Sequence, residues 1–120
     1  MISFLWVGIG GFFGSALRYA LSVVLQPYQG FPVATLCVNA VGCFVMGYLH
    51  FKFPQAPESQ KLLVAVGFLG GFTTFSTFSF ETMQLFQKGE HKLAVVNITL
   101  NVTLSITAVF LPKLLIANRL

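Results

Sequence analysis

Charge is what this chain has least of. Its 120 residues include no aspartate, and acids and bases together make up 8% of it, against about 25% in an average soluble domain. Such a composition cannot build a hydrated surface, so a soluble globular domain is excluded and the bilayer becomes the solvent. The scarcity of acids also argues against an enzyme. His50 and His91 fall at the ends of apolar stretches, and no Ser, His and acid set or metal-ligand spacing occurs. Cys37 and Cys43 are six residues apart in one expected helix, about 9 Å along the axis at 1.5 Å per residue and on different faces. They are too far apart for a disulfide and carry no information on redox compartment. The net charge of +4 comes without a basic run or an exposed aromatic platform, which leaves nucleic acid without a binding surface.

What is present is apolar length. A membrane-spanning helix needs roughly 20 mostly apolar residues, and four such stretches cover the chain, at about 3–25, 33–51, 62–86 and 93–116. This defines a single four-span transmembrane domain over residues 1–120 of an all-α, multi-pass protein of the cell membrane. The first stretch has no basic start, carries Arg18 and is rich in glycine, so it reads as a retained span and not a signal peptide. The connections "QPYQGFP" (26–32), "KFPQAPESQK" (52–61) and "QKGEHK" (87–92) hold most of the turn formers and charges. Short connections make the four helices antiparallel neighbours. An even number of spans puts both termini on the side of the second loop, with Lys52, Lys61, Lys113 and Arg119 there and Lys88 and Lys92 opposite. Four against two is a weak positive-inside bias, which leaves insertion in both orientations physically open. Four spans also enclose little interior, so a homodimer fits better than a working monomer. Gly10 and Gly14, and again Gly67 and Gly71, form G-x-x-x-G pairs that fit either a seam between subunits or close packing within one.

Polar residues inside these spans are the informative ones, because each is costly in lipid unless it faces the bundle or water. Arg18 suits either snorkelling to the headgroups or an electropositive vestibule for anions. Thr35 and Asn39 share one face of the second helix. Asn97, Asn101 and Ser105 follow at four-residue steps in the fourth span and form a stripe about 12 Å long, which favours a wet path over helix glue. Thr99 and Thr103 add a weaker row. In the third span, "GGFTTFSTFSFE" (70–81) places Gly70, Gly71, Thr73 and Thr74 near mid-membrane, a poor helix interior. A break there frees carbonyl oxygens suited to a hard monovalent cation; the alternative is an unbroken helix whose glycines permit a close crossing. Beyond it, Phe72, Phe75 and Phe78 recur every three residues among Thr74, Ser76, Thr77 and Ser79, ending at Glu81. A phenyl ring has a positive edge, so rings turned edge-on can line an anion path without a trapping charge.

In these residues the chain resembles the small Fluc (CrcB-type) fluoride channels of microbes. The resemblance runs through "GGFFGSALRY", "TLCVNAVGCFVMG", "GFLGGFTTFSTFSFE" and the polar stripe of the fourth span; the third-span motif is the specific one. It implies an antiparallel, dual-topology homodimer with two fluoride pathways and a structural sodium ion at the dimer centre. The sodium would be held by backbone carbonyls of Gly70 and Thr73 from both subunits. Phe75 and Phe78 would turn ring edges to fluoride, with Asn39 as polar partner and Thr35 one turn away. Arg18 would sit in the vestibule and Glu81 at the far end. Ser105 and Asn101 match the fourth-span track, but Asn97 and Asn101 stand where relatives are expected to carry hydroxyls. The implied function is passive export of fluoride that relieves its toxicity, driven by the anion's gradient and a membrane potential worth ~2.3 kcal/mol per 100 mV.

Two other readings compete. A small four-span multidrug exporter would need a proton-linked carboxylate within a span, for which Glu81 is the one candidate. A structural membrane subunit would need only the small-residue pairs, and leaves the polar stripe and the broken span without a purpose.

Overall fold

The apolar stretches fold as expected into four spans, three of them continuous. A computed structural model describes residues 1–118; Arg119, counted above among the charges beside the termini, lies outside the described residues. The continuous helices are α1 (Ile2–Val24), α2 (Val33–Lys52) and α6 (His91–Ala117). The third span, Glu58–Gln87, is assembled from a first turn α3 (Glu58–Gln60), a π-helical stretch (Lys61–Leu69), a further turn α4 (Gly70–Phe72) and the helix α5 (Phe75–Gln87). Local chemistry sets its far end. Gly89 takes φ 78°, its N–H reaches the Phe86 carbonyl at 3.0 Å, and the Glu90 N–H reaches that of Leu85 at 2.9 Å. This is the Schellman closure, which glycine permits without steric cost.

The break divides the packing. Before it the third span lies along α1; after it α5 lies against α6, which in turn lies along α2. Glycines set the first contact: a Cβ on Gly10 or Gly14 would enter the backbone of Leu63 or Phe68, and one on Gly67 or Gly71 the backbone of Val7 or Gly11. The two G-x-x-x-G pairs therefore interlock inside one subunit, which decides between the two uses the sequence allowed. Gly47 gives the same close approach to the Val109 carbonyl of α6, and Gly42 makes room for the Thr73 methyl group.

The molecule measures 48 × 38 × 21 Å, and the short dimension is about two helix diameters. Its core is small and half polar: Val38, Leu69, Phe72, Phe78, Leu85 and Ala94 share it with Thr35, Asn39, Thr82, Asn97 and Asn101. Phe4, Phe12, Phe13, Phe110 and Leu114 face outward. That inversion suits a lipid solvent, in which apolar surface gains nothing by hiding and polar groups must be satisfied within the protein.

The third span is broken, but not at the glycines. Gly70 keeps helical angles (φ −64°, ψ −35°), whereas Thr73 (φ −80°, ψ 158°) and Thr74 (φ −153°, ψ 119°) are extended. Gly71 serves the crossing with α1. The chain leaves the helix where the threonines have other partners: the Thr73 hydroxyl donates to the Leu69 carbonyl at 2.9 Å, and the Thr74 hydroxyl accepts from the Thr77 N–H at 3.2 Å as N-cap of α5.

Candidate functional site

A helix that stops inside a bilayer must place its orphaned backbone groups somewhere. Three groups from elsewhere in the chain meet this need. Arg18 Nε donates to the Gly71 carbonyl at 3.0 Å, bringing a cation to the negative end of a helix. Asn39 clasps the extended residue on both sides: its Oδ1 accepts from the Thr74 N–H at 2.8 Å and its Nδ2 donates to the Thr74 carbonyl at 3.1 Å. In an uninterrupted helix the Thr74 and Thr77 N–H groups would bond the carbonyls of Gly70 and Thr73. Here they go to Asn39 and to the Thr74 hydroxyl, so both carbonyls are released from that pairing. Gly70 is exposed, with open space where a Cβ would stand.

Past the break, Phe75 and Phe78 form an edge-to-face pair, ring centroids 5.4 Å apart and planes at 62°. Their surroundings differ. Phe78 is 7% exposed and belongs to the core, whereas Phe75 is 76% exposed on the face of the molecule.

The turn of the chain at Thr73 and Thr74 also opens a cavity of about 170 Å³ beside the first loop, lined by Arg18, Tyr19, Thr35, Thr74, Thr77 and Glu81 among others. Thr35 Oγ1 donates to Glu81 Oε1 at 2.8 Å. The other carboxylate oxygen, Oε2, is buried and has no hydrogen-bond partner among the described residues. A guanidinium, five hydroxyl-bearing residues (Tyr19, Ser22, Thr35, Thr74 and Thr77) and a carboxylate thus line one small space. The cavity beside the second loop is larger, about 500 Å³, but its wall is mostly apolar, with Met46, Leu49, Phe53 and Val64 beside His50, Gln60 and Lys61, and none of the sequence-derived site residues lines it.

Behind Asn39 lies the asparagine stripe, and here the expectation of a wet path needs correction. Asn97 is 0% and Asn101 4% exposed. Asn39 Nδ2 donates to Asn101 Oδ1 at 3.0 Å, Asn101 Nδ2 to Asn97 Oδ1 at 2.8 Å, and Asn97 Nδ2 to Thr82 Oγ1 at 3.0 Å. The Thr82 hydroxyl ends the series on the Phe78 carbonyl at 2.8 Å. These amides are engaged with one another inside the subunit and do not line open space. Ser105, one turn further along α6, is half-buried and outside this series. Thr99 and Thr103 bond back to carbonyls of their own helix and face outward.

The fold therefore gathers Arg18, Thr35 and Glu81 on one cavity and puts Asn39 at the break beside them. It sets Phe75 and Phe78 just beyond, and leaves Ser105 apart. The sequence reading missed Thr82. Its signal was available: Thr74, Phe78 and Thr82 follow at four-residue steps and so share a helix face.

Residues 5–112 match the family described as "CrcB-like protein, Camphor Resistance (CrcB)". The chain is 49% identical over 110 residues to a protein of Elusimicrobium minutum named fluoride-specific ion channel FluC, covering 89% of this chain and 87% of that one. A protein of the same name from Ruminiclostridium cellulolyticum is 45% identical over 120 residues, covering 96% and 92%. One from Pyrococcus abyssi, again so named, is 44% identical over 107 residues, covering 86% of each.

Proposed function

From the premise that this chain belongs to the CrcB-like family, we propose that it is a fluoride-selective ion channel that lets the anion leave the cytoplasm passively. The observation that carries the reading is the convergence at the break: the edge-to-face pair Phe75 and Phe78 directly follows Thr74, which with Arg18, Thr35, Thr77 and Glu81 lines one cavity. Each part has a role in moving a small, strongly hydrated anion. The Arg18 guanidinium raises the local anion concentration at the mouth. The Thr77 hydroxyl, whose own proton is free, replaces water as a donor to the anion, and the positive ring edges of Phe75 and Phe78 accept the ion where no fixed charge would hold it. Asn39 keeps the path's backbone in place, and Asn101 acts on the path through Asn39. Glu81 lines the same cavity and orients the Thr35 hydroxyl, from which it accepts.

The working unit in this proposal is an antiparallel homodimer in the lipid bilayer. The exposed faces of Gly70 and Phe75 suit such an arrangement, since each leaves a path component uncovered in a single subunit. The carbonyls of Gly70 and Thr73 are neutral oxygen donors freed from helix pairing, and two copies would supply four. That donor set fits a sodium ion, which would neutralise the facing carbonyl dipoles and hold the two breaks together. Transport itself needs neither ATP nor a counter-ion.

The decisive experiment is potential-driven efflux from liposomes containing the purified protein, fluoride against chloride, repeated with Phe75→Ile and Phe78→Ile. Fluoride flux far above chloride flux, lost in both variants, is the expected outcome. Equal currents of the two anions would overturn the selectivity, and unchanged flux in both variants the aromatic path.

A further inference from the structure

The proposed path leaves one conspicuous feature of the sequence without a task, the pair Asn97 and Asn101. We propose that Asn97, Asn101 and Thr82 are positioning residues, whose directed series of hydrogen bonds sets the orientation of the Asn39 amide and thereby the geometry of the helix break. This rests on the channel reading given above.

A side-chain amide presents its oxygen and its nitrogen in one plane on either side of the Cβ–Cγ bond, and a half-turn about that bond exchanges them. Only one orientation of Asn39 clasps Thr74, with oxygen toward the N–H and nitrogen toward the carbonyl. Turned over, donor would face donor and acceptor would face acceptor. The second N–H of Asn39 points to Asn101 Oδ1, so the orientation of Asn39 depends on that of Asn101. Asn101 is fixed in turn, because its nitrogen donates to both the backbone oxygen and Oδ1 of Asn97, at 3.1 and 2.8 Å. The Asn97 nitrogen donates to Thr82 Oγ1, whose proton goes to the Phe78 carbonyl. A backbone carbonyl in a helix cannot exchange donor for acceptor, so it anchors the direction of every bond in the series.

The series leaves α5 at Phe78, crosses to α6, passes to α2 and returns to the chain at Thr74. It ties together the residues at either end of the first turn of α5, one of which carries a ring of the path. Every side chain in it is buried, which keeps water from standing in for a lost member. Simple helix glue needs one bond between two helices; this arrangement uses three helices to hold one extended residue.

The test uses the full-length protein with Asn101→Leu, which keeps the heavy-atom count and branching but removes donor and acceptor. Two quantities are read: hydrogen exchange of the Thr74 amide by NMR in micelles, and fluoride efflux from liposomes. The expected outcome is Thr74 exchange faster by about tenfold or more, the range of a coupled polar network, with amides at the far end of α5 unchanged. Efflux falls by a similar factor, and combining Asn101→Leu with Asn39→Ala gives no greater loss than Asn39→Ala alone. Unaltered Thr74 exchange would overturn the proposal, as would losses that multiply in the double variant. Thr82→Val, which removes the anchoring hydroxyl at nearly constant shape, carries the same expectations if Asn101→Leu does not fold. Because the exchange measurement is independent of which ion moves, accelerated Thr74 exchange in a protein that carries no fluoride would uphold the positioning role and sink the channel reading.

Discussion

At the residue scale, the two ring residues separate packing from function. Phe78 is buried and Phe75 is exposed in the subunit. Phe78→Ile should therefore lower thermal stability by roughly 1 kcal/mol or more through the volume it vacates, while Phe75→Ile should leave the melting temperature of the detergent-solubilised subunit close to that of the parent. Both should lose fluoride flux, and a flux loss in Phe78→Ile alone would tie the effect to packing. Glu81 offers a second separation. A glutamine at 81 still presents an oxygen to the Thr35 hydroxyl, so Glu81→Gln should retain ion flux in liposomes. Loss of cationic-drug resistance in cells carrying that variant, with fluoride flux absent throughout, would favour the exporter reading instead.

At the element scale, the interlocked glycines hold α1 on the first half of the third span. The atoms that a new methyl group would meet at Gly14 belong to the backbones of Phe68 and Phe72, which cannot swing aside as a side chain can. Gly14→Ala is expected to destabilise the protein by about 1–3 kcal/mol, the usual cost of overpacking, in a denaturation series in detergent. Gly8 sits on the same helix with open space around it, so Gly8→Ala should be neutral or stabilising by up to about 1 kcal/mol. Equal behaviour of the two variants would mean that the seam is not as tight as described. The π-helical stretch of Lys61–Leu69 belongs to this scale too. Its composition, "KLLVAVGFL", is that of an ordinary apolar helix, and the sequence carries no signal for the wider turn.

At the scale of the whole molecule, the slab is only 21 Å in its short dimension, and Phe75 of the candidate path lies on its surface. The proposed antiparallel dimer would double that thickness, and the weak four-to-two bias of basic residues in the loops leaves both orientations open to it. Adding three lysines to the 52–61 loop should fix one orientation and abolish flux when that variant is expressed alone. Co-expression with a variant bearing added lysines in the 87–92 loop should restore it. Undiminished flux from the first variant alone would rule out a requirement for both orientations. Exchanging sodium for a large organic cation on both sides of the membrane should weaken the dimer in crosslinking and reduce fluoride efflux, if the carbonyls of Gly70 and Thr73 hold the ion as proposed.

The sequence by itself determined the number of spans and their order, because apolar length is a local property, and it marked the third span as a poor helix interior while leaving open whether the helix breaks there; the structure shows that it does, at Thr73 and Thr74. It also marked Arg18, Thr35, Asn39, Phe75, Phe78 and Glu81 as worth attention, since a polar group or an aromatic series inside lipid is unusual whatever surrounds it. Only the tertiary structure decided what each of them meets. The glycines at 70 and 71 are helical and the break falls after them, since its position depends on Asn39 and Arg18 arriving from other helices. The asparagines of α6 face inward to one another and not to water, since a stripe defines a face but not its neighbour. Hydrogen bonds across residues 35 to 62 positions apart leave no trace in local pattern, and it is these that fix the site.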